Sequence, residues 1–576
     1  MDADNGITGT YAPGVVRTEK GDMVSVDRER VRQQYMEATA DTTTDSGLQL
    51  KAVYTQDDME GMDLSRDLGL PGEFPYTRGH HPQMYRGKLW NIRQITGLST
   101  PKEYNHRLRM EIAEGAGALT YHVDELADYG LEPDQPSAEG MIGVTGVTSN
   151  HLGDVETALE GLPLDTVSLC PACTSPLISQ SILLTGKRRG YDISQLRLVH
   201  GAFVMWLPMC YRSLTEVTFA NGRISSLGKW GLDYCEYILR HLPKVNIWYF
   251  DGASAHEGGG SAIQEMAFIL ACRNDLLRQM AERGLDPAMV ARALSPTVAL
   301  GQDFFENIAK VRALRRLWAK TLAEDFGVSD RQALALRVHA NVVGSLCTRQ
   351  QPLVNLSRVS IAALSGVLAG VMGLQLACYD EAFATPTEEA VKLAIRTQQV
   401  LRYESGAARV ADPLGGSFFM EQLTNQLEEE AAALLADMEE RGGWLKLLEN
   451  GWVHDVMRKR SWEVQQEIET GQRVVVGVNR FAVPPEQDTP PPIFSPGGDE
   501  VEKYLQQYLS FKEDRDLTHV KEALDALGTA AQKGSHLVEP AGRAMEAGAT
   551  FAEVVGTLRL ADGLEYDWAA ERRSPW

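Results

Sequence analysis

ALSPTVALGQDFFENIAKVRALRRLWAKTLAEDFGVSDRQALALRVHANV, residues 293–342, holds one full unit of the pattern that decides the fold. A short apolar run (293–300) leads into Gln302 to Asp325, where apolar positions recur at three and four residues, the period of a helix with a buried face. A polar turn and a second apolar run (335–342) follow. Working outward, the same unit recurs along the chain. The runs are WNIRQITG (90–97), ALTYHV (118–123), TVSLCPA (166–172), RLVHGAF (197–203), NIWYFDG (246–252), ALSPTVAL (293–300), ALRVHANV (335–342) and LQLACYDE (374–381). Helices are expected between them, including DVETALEGL, capped by Asp154, and the stretch from Ser261 to Gly284. Eight strand-helix units predict an α/β fold, a closed parallel (β/α)8 TIM barrel. An open doubly wound sheet is the alternative, but no glycine-rich dinucleotide fingerprint follows any of these strands.

Residues 1–70 are polar and read as an N-terminal arm with a short helix near Arg28 to Ala38. The barrel is expected over 71–425 and a helical extension of it over 426–481. Met420 to Arg441 and Trp444 to Thr470 read as long amphipathic helices, followed by a short strand-like VVVGVNRF (474–481). A Pro-rich linker is expected at 482–500 and a C-terminal helical segment at 501–576, with helices at Val501 to Lys512 and Leu517 to Lys533.

The 576 residues are 44% hydrophobic and 23% charged, which is globular composition. A net charge of -22 argues against nucleic acid or an anionic membrane as partner. Seven cysteines in such a length suggest no disulfide framework and imply a reducing cytoplasm. No basic head followed by an apolar stretch opens the chain, so no secretory leader is expected. Val359 to Tyr379 carries no charge over a length that could span a bilayer. Its glycines, serines and Gln375 favour a buried helix running into a buried strand.

Barrels of this type gather their chemistry at the C-terminal ends of the strands. That places Arg93, Gln94, Ile95, Gly97, His122, Asp124, Cys170, Cys173, Asp251, Ser254, His256, Glu257, His339, Asn341, Tyr379, Asp380 and Glu381 at one mouth. Each has a plainer reading. Cys170 and Cys173 form one Cys-x-x-Cys with no second pair, so no metal ligand set is assigned. His256 and Glu257 could sit in a solvated loop, and His339 could be a core histidine. Gly258 to Gly260 read as a place where the chain approaches a large ligand closely.

PYTRGHHPQMYRGKLWNIRQITGLST (75–100), EMAF (265–268), DFFENIAKVRALRRLWAK (303–320), YDEAFATPTEEA (379–390), ESGAARVADPLGGSFF (404–419) and VVGVNRF (475–481) resemble the large subunit of the methylmalonyl-CoA mutase family. The resemblance implies a barrel with acyl-CoA along its axis, and adenosylcobalamin-dependent radical rearrangement of the acyl skeleton. The family's cobalt-ligating Asp-x-His-x-x-Gly is absent here. A separate small cobalamin-binding subunit is therefore expected, as in isobutyryl-CoA and 2-hydroxyisobutyryl-CoA mutases, in a dimer of such pairs.

The resemblance carries site residues over one by one. Ile95 stands where methylmalonyl-CoA mutase has an aromatic ring and 2-hydroxyisobutyryl-CoA mutases have isoleucine. His122 replaces the latter's aspartate, which contacts the substrate hydroxyl. Ser254 replaces a histidine beside the migrating carbonyl, with His256 two residues on; His122, Ser254 and His256 are the catalytic candidates. Tyr211 falls on the arginine that pairs with the methylmalonyl carboxylate, and Gly201 on a glutamine. Met84, Lys88, Arg93, Ile95, Tyr211 and Ser295 are the substrate-binding candidates, while Ala293 replaces an arginine for the CoA phosphates. Gly97, Glu257, Gly344 and Glu381 match positions facing the corrin and adenosyl group; Asn341 replaces a glutamine there and Ala377 an asparagine. A carboxylate buried without its arginine would be unpaired. The expected substrate is therefore a branched or hydroxylated acyl-CoA rather than methylmalonyl-CoA. A degenerate non-catalytic subunit and an acyl donor other than CoA are the alternatives.

Overall fold

The computed structural model describes residues 15–17, 23–25, 42–173, 175–202, 205–210 and 215–575. The helix expected near Arg28 to Ala38 and the candidate Tyr211 lie outside these residues. Each of the eight apolar runs supplies one strand: β1 Asn91–Gln94, β2 Ala118–His122, β3 Ser168–Ala172, β4 Val199–Gly201, β5 Asn246–Trp248, β6 Thr297–Leu300, β7 His339–Val342 and β8 Gly373–Gln375. All pair in parallel. Six form one curled sheet in the order β6-β7-β8-β1-β2-β3, with Gly373 opposite Asn91 and Ala118 opposite Ser168. β4 and β5 pair with each other through Val199 and Asn246. Single bridges complete the ring, Leu169 to Leu198 on one side and Ile247 to Leu294 and Asp251 to Thr297 on the other. The result is a closed (β/α)8 barrel.

The barrel helices are α1 Pro101–Glu114, α2 Leu152–Ala158, α3 Leu177–Arg188, α4 Ser226–His241, α5 Ala262–Glu282, α6 Phe304–Phe326, α7 Asn355–Ala369 and α8 Glu388–Tyr403. Their ends follow local chemistry. Ser261 caps α5 in a reciprocal capping box with Gln264, and Asp303 caps α6, which stops at left-handed Gly327. At α2 the cap is His151, not Asp154. Its Nδ1 accepts from Gly153 N, while Asp154 turns back to accept from Asn150 N.

The apolar stretch 359–379 is divided by left-handed Gly370 into the end of α7 and the strand β8. Pro352–Ala369 is, among the described residues, the one helical stretch long and apolar enough to cross a membrane. Here Val359, Ala362, Ala363 and Val367 are buried against the barrel. Gly370 has φ 77°, and a Cβ on it would lie 2.7 Å from Met84 Cε. Gly370→Ala should therefore cost about 1–2 kcal/mol of stability, read by urea denaturation, because both the turn and the packing resist a side chain. A loss within error would count against this account.

Beyond the barrel come α9 Phe418–Glu440, α10 Gly443–Glu449 and α11 Trp452–Glu469. α9 runs through residue 425 without a break and lies across α5 and α6. This buries α6 on both sides. Arg312 is 0% exposed and bonds Asp412 and, at 2.5 Å, Glu421. The last helices are α12 Gly498–Asp514, α13 Leu517–Gln532, α14 Val538–Glu546 and α15 Phe551–Ala561. They fold back onto the barrel's β2–β4 side. Asp562 accepts from Ser226 N (2.6 Å), Asp233 from Leu537 N (2.9 Å), and Tyr504 Oη donates to Asp154 (2.9 Å).

Candidate active site

Inward-facing side chains leave a cavity of about 420 Å³ at the C-terminal mouth of the barrel. Strand alternation supplies its floor: Arg93 from β1, Thr120 from β2, Cys170 from β3, Trp248 from β5, Asn341 from β7 and Gln375 from β8. Arg93 is buried, donates to Asn341 Oδ1 at 2.7 Å, and points a second nitrogen at Cys170 Sγ.

Ile95, 39% exposed, and His122 form one wall. The His122 Nδ1 lies 3.0 Å from the Val123 carbonyl. A carbonyl only accepts, so Nδ1 carries the proton and Nε2 is left as the ring's acceptor. Burial holds the imidazole below its ordinary pKa, which keeps it neutral. Gly97 serves this wall by packing: a Cβ there would lie 2.2 Å from the His122 carbonyl oxygen.

The opposite wall stands on a short helix, Gly252–Glu257, which follows β5. Asp251 caps it, accepting from Ser254 N at 3.2 Å and Ser254 Oγ at 2.6 Å. Ser254 and Glu257 line the cavity. His256 does not. Its ring turns out against Gly301, and burial followed by the charges of Lys310 and Arg473 pushes its pKa down to about 4.

Two carboxylates converge at the rim. Glu257 Oε1 accepts from Ser345 N at 3.2 Å, and Glu381 Oε2 from Cys378 N at 2.9 Å. Gly344 lies between them; a Cβ there would sit 2.5 Å from Glu381 Oε1 and 3.5 Å from Glu257 Oε1. Burial, then the charge of Glu257, raises the Glu381 carboxyl to about 7. Glu257 is raised too, by loss of solvent and by Asp251.

The other candidates divide clearly. Met84, Lys88 and Ser295 lie at the opposite, N-terminal end of the barrel. Met84 is packed between Gly79 and Gly370, Lys88 is exposed, and Ser295 Oγ donates to the Arg337 carbonyl. Asp124 caps the helical segment after β2, Asp380 accepts from N and Oγ1 of Thr387, the cap of α8, and both lie outside the cavity lining. His339 packs on Gly373, with its pKa pushed by burial to about 3. The buried thiols of Cys170 and Cys173 are raised above their ordinary range. Among the described residues no group of three or more His, Cys, Asp or Glu side chains is arranged to hold a metal ion.

Sequence reasoning missed the aromatic wall. Trp206 and Trp248 line the cavity with ring centroids 5.4 Å apart. Period-two alternation along β5 puts Asn246 and Trp248 on one face; nothing local marks Trp206. The glycine run 258–260 lets α11 pack closely, since a Cβ on Gly259 would meet Ser461 Cβ at 2.5 Å. Among the described lining residues the charge is lopsided: Glu125, Asp128, Asp251, Glu257 and Glu381 face one guanidinium, Arg93, which Asn341 already engages.

The methylmalonyl-CoA mutase family model matches residues 43–564. The chain is 33% identical over 530 residues to the 2-hydroxyisobutanoyl-CoA mutase large subunit of Aquincola tertiaricarbonis, covering 91% of this chain and 92% of that one. It is 31% identical over 526 residues to methylmalonyl-CoA mutase of Rhizobium meliloti (strain 1021), covering 90% and 72%. With the mitochondrial methylmalonyl-CoA mutase of Homo sapiens it shares 30% over 524 residues, covering 90% and 68%.

Proposed function

Because the chain belongs to the methylmalonyl-CoA mutase family, we propose that it is the large subunit of an adenosylcobalamin-dependent mutase acting on a hydroxylated or branched acyl-CoA other than methylmalonyl-CoA. The observation that carries this reading is the wall formed by Ile95 and His122. A neutral imidazole with its Nδ1 proton committed to Val123 presents an acceptor, suited to a substrate hydroxyl. A second carboxylate on the acyl group would instead enter a cavity whose described carboxylates outnumber its one described cation.

The residues at the mouth fit the cofactor. Gly344 keeps open a space that a Cβ would fill, and Glu257 and Glu381 flank it with acceptor oxygens for ribose hydroxyls. When bound, adenosylcobalamin supplies reversible removal of a substrate hydrogen. The chain's own part is to hold and shield the acyl group. Arg93 and Asn341 form the floor beneath it, Ser254 and His122 present polar groups from opposite walls, and Trp206 and Trp248 exclude water on the β4–β5 side. The relative named a large subunit supports a separate small cobalamin-binding partner covering this mouth.

The test is turnover of a thioester panel by the chain mixed with a small cobalamin-binding subunit. Hydroxylated thioesters such as 2-hydroxyisobutyryl-CoA or a 3-hydroxyacyl-CoA should exceed methylmalonyl-CoA in kcat/KM by at least about tenfold, the scale of one well-placed hydrogen bond. His122→Ala should narrow that ratio. Methylmalonyl-CoA as the best substrate would refute the reading.

A further inference from the structure

Two of the motif segments, EMAF and DFFENIAKV, have no part in the cavity, yet they meet directly behind it. Glu265 from α5 and Lys310 from α6 are both buried, at 0% and 2% exposure, with 2.6 Å between Lys310 Nζ and Glu265 Oε2. The pair is stitched to the backbone of β6: Ala299 N donates to Glu265 Oε1 at 2.8 Å, and Lys310 Nζ donates to Ala299 O at 2.7 Å. The same Glu265 Oε1 closes on the first residue of the helix that carries Ser254 and Glu257. A Cβ on Gly252 would lie 2.2 Å from it and 2.7 Å from Thr297 O. Thr297 Oγ1 also donates to Asp251, the cap of that helix, at 2.5 Å.

A buried ion pair is a weak source of net stability, because desolvation consumes most of the attraction. Its reach is more telling here than its charge. We propose that Glu265, held by Lys310, is a positioning residue: its carboxylate seats Gly252 and thereby fixes the height of the Gly252–Glu257 helix, so that Glu257 meets Ser345 across the mouth. The proposal rests on the mutase reading only for its activity readout.

Two variants separate reach from charge. Glu265→Asp keeps the charge and withdraws the carboxylate by one methylene. Glu265→Gln keeps the reach and removes the charge. Each is assayed for kcat and KM with the small subunit, for Tm, and for amide exchange of the peptide spanning 250–261. Glu265→Asp should lower kcat by about tenfold or more with KM within about twofold, and speed exchange at 252–258 by about tenfold, in keeping with the sensitivity of reaction rate to small misplacement. Glu265→Gln should lower Tm more, yet stay within about threefold of wild type in kcat and in exchange at 252–258. The opposite order, with Asp tolerated and Gln damaging kcat and local protection, would overturn the proposal, as would no effect of either variant on 252–258. If wild type turns over no thioester, the mutase reading fails, and the exchange measurement still decides the positioning role.

Discussion

Gly344→Ala should cut kcat by about 10²-fold while leaving the fold intact. The added Cβ would lie 2.5 Å from Glu381 Oε1, a distance that real Cβ contacts do not show, so the Glu381 side chain must move. A displacement on the order of 1 Å in a group that holds a reacting ligand costs roughly two orders of magnitude in rate. Stability should change little, because Gly344 opens a short 3-10 turn in an ordinary backbone conformation at an open rim. A companion variant tests the charge. The Glu381 carboxyl titrates near 7, held up by burial and by Glu257. It is therefore largely protonated at pH 6 and largely ionised at pH 8, and ionisation frees both oxygens to accept from hydroxyls. Turnover should rise with pH through about 7, and Glu381→Gln should remove that step. Undiminished turnover in Gly344→Ala, or an unchanged pH profile in Glu381→Gln, would show that the paired acids do not hold the cofactor.

The second large effect is on stability. Arg312 lies in the core between α6 and α9 and bonds Asp412 and Glu421, both of them buried. Glu421 also accepts from Gly416 N at 2.8 Å, and Arg78 reaches Asp412 at 3.2 Å. Arg312→Met leaves two acids in the core, with the partly exposed Arg78 reaching Asp412 and not Glu421. Removing one partner of such a group costs about 3–5 kcal/mol, mostly from the stranded charge. Urea denaturation should show that loss. The double variant Arg312→Met with Glu421→Gln should recover part of it, since one stranded charge is gone. A loss below about 1 kcal/mol in the single variant would mean that water reaches the acids.

The strands were legible because each apolar run is short, buried on both faces and separated from the next by a helical period, so tertiary context and local pattern agree. The helix α6 was legible in extent but not in environment. Its arginines look like a solvated face in sequence, but Arg312 and Arg316 are buried against α9, and Arg315 against the carbonyls of Ala369 and Gly370. At the mouth, Arg93, Ile95, His122 and Asn341, read from the C-terminal ends of the strands, line one cavity together with Glu257 and Glu381. His256 looked equivalent to Ser254 in sequence, but two residues along a helix is about 200° of rotation, which turns its ring to the far side. Trp206 could not be placed because its segment is held from a distance: Trp444 bonds the Met205 carbonyl, and His454 Nε2 lies 2.6 Å from that of Pro208.

The close fit of α11 against Gly258 and Gly259 sets an order of completion during synthesis. All eight strands have been made once Gln375 leaves the ribosome's peptidyl-transferase centre, yet the surface on which the Gly252–Glu257 segment rests, at Met457 and Ser461, is still unmade. At about 5–20 residues per second the stretch from 376 to 461 takes roughly 4–17 s. During that interval a nascent barrel can close while one side of its mouth lacks a support. Segments 205–210 and 258–260 both wait for the same late helices, so a ribosome pause after Gln375 would prolong the interval in which this side of the mouth is unsupported.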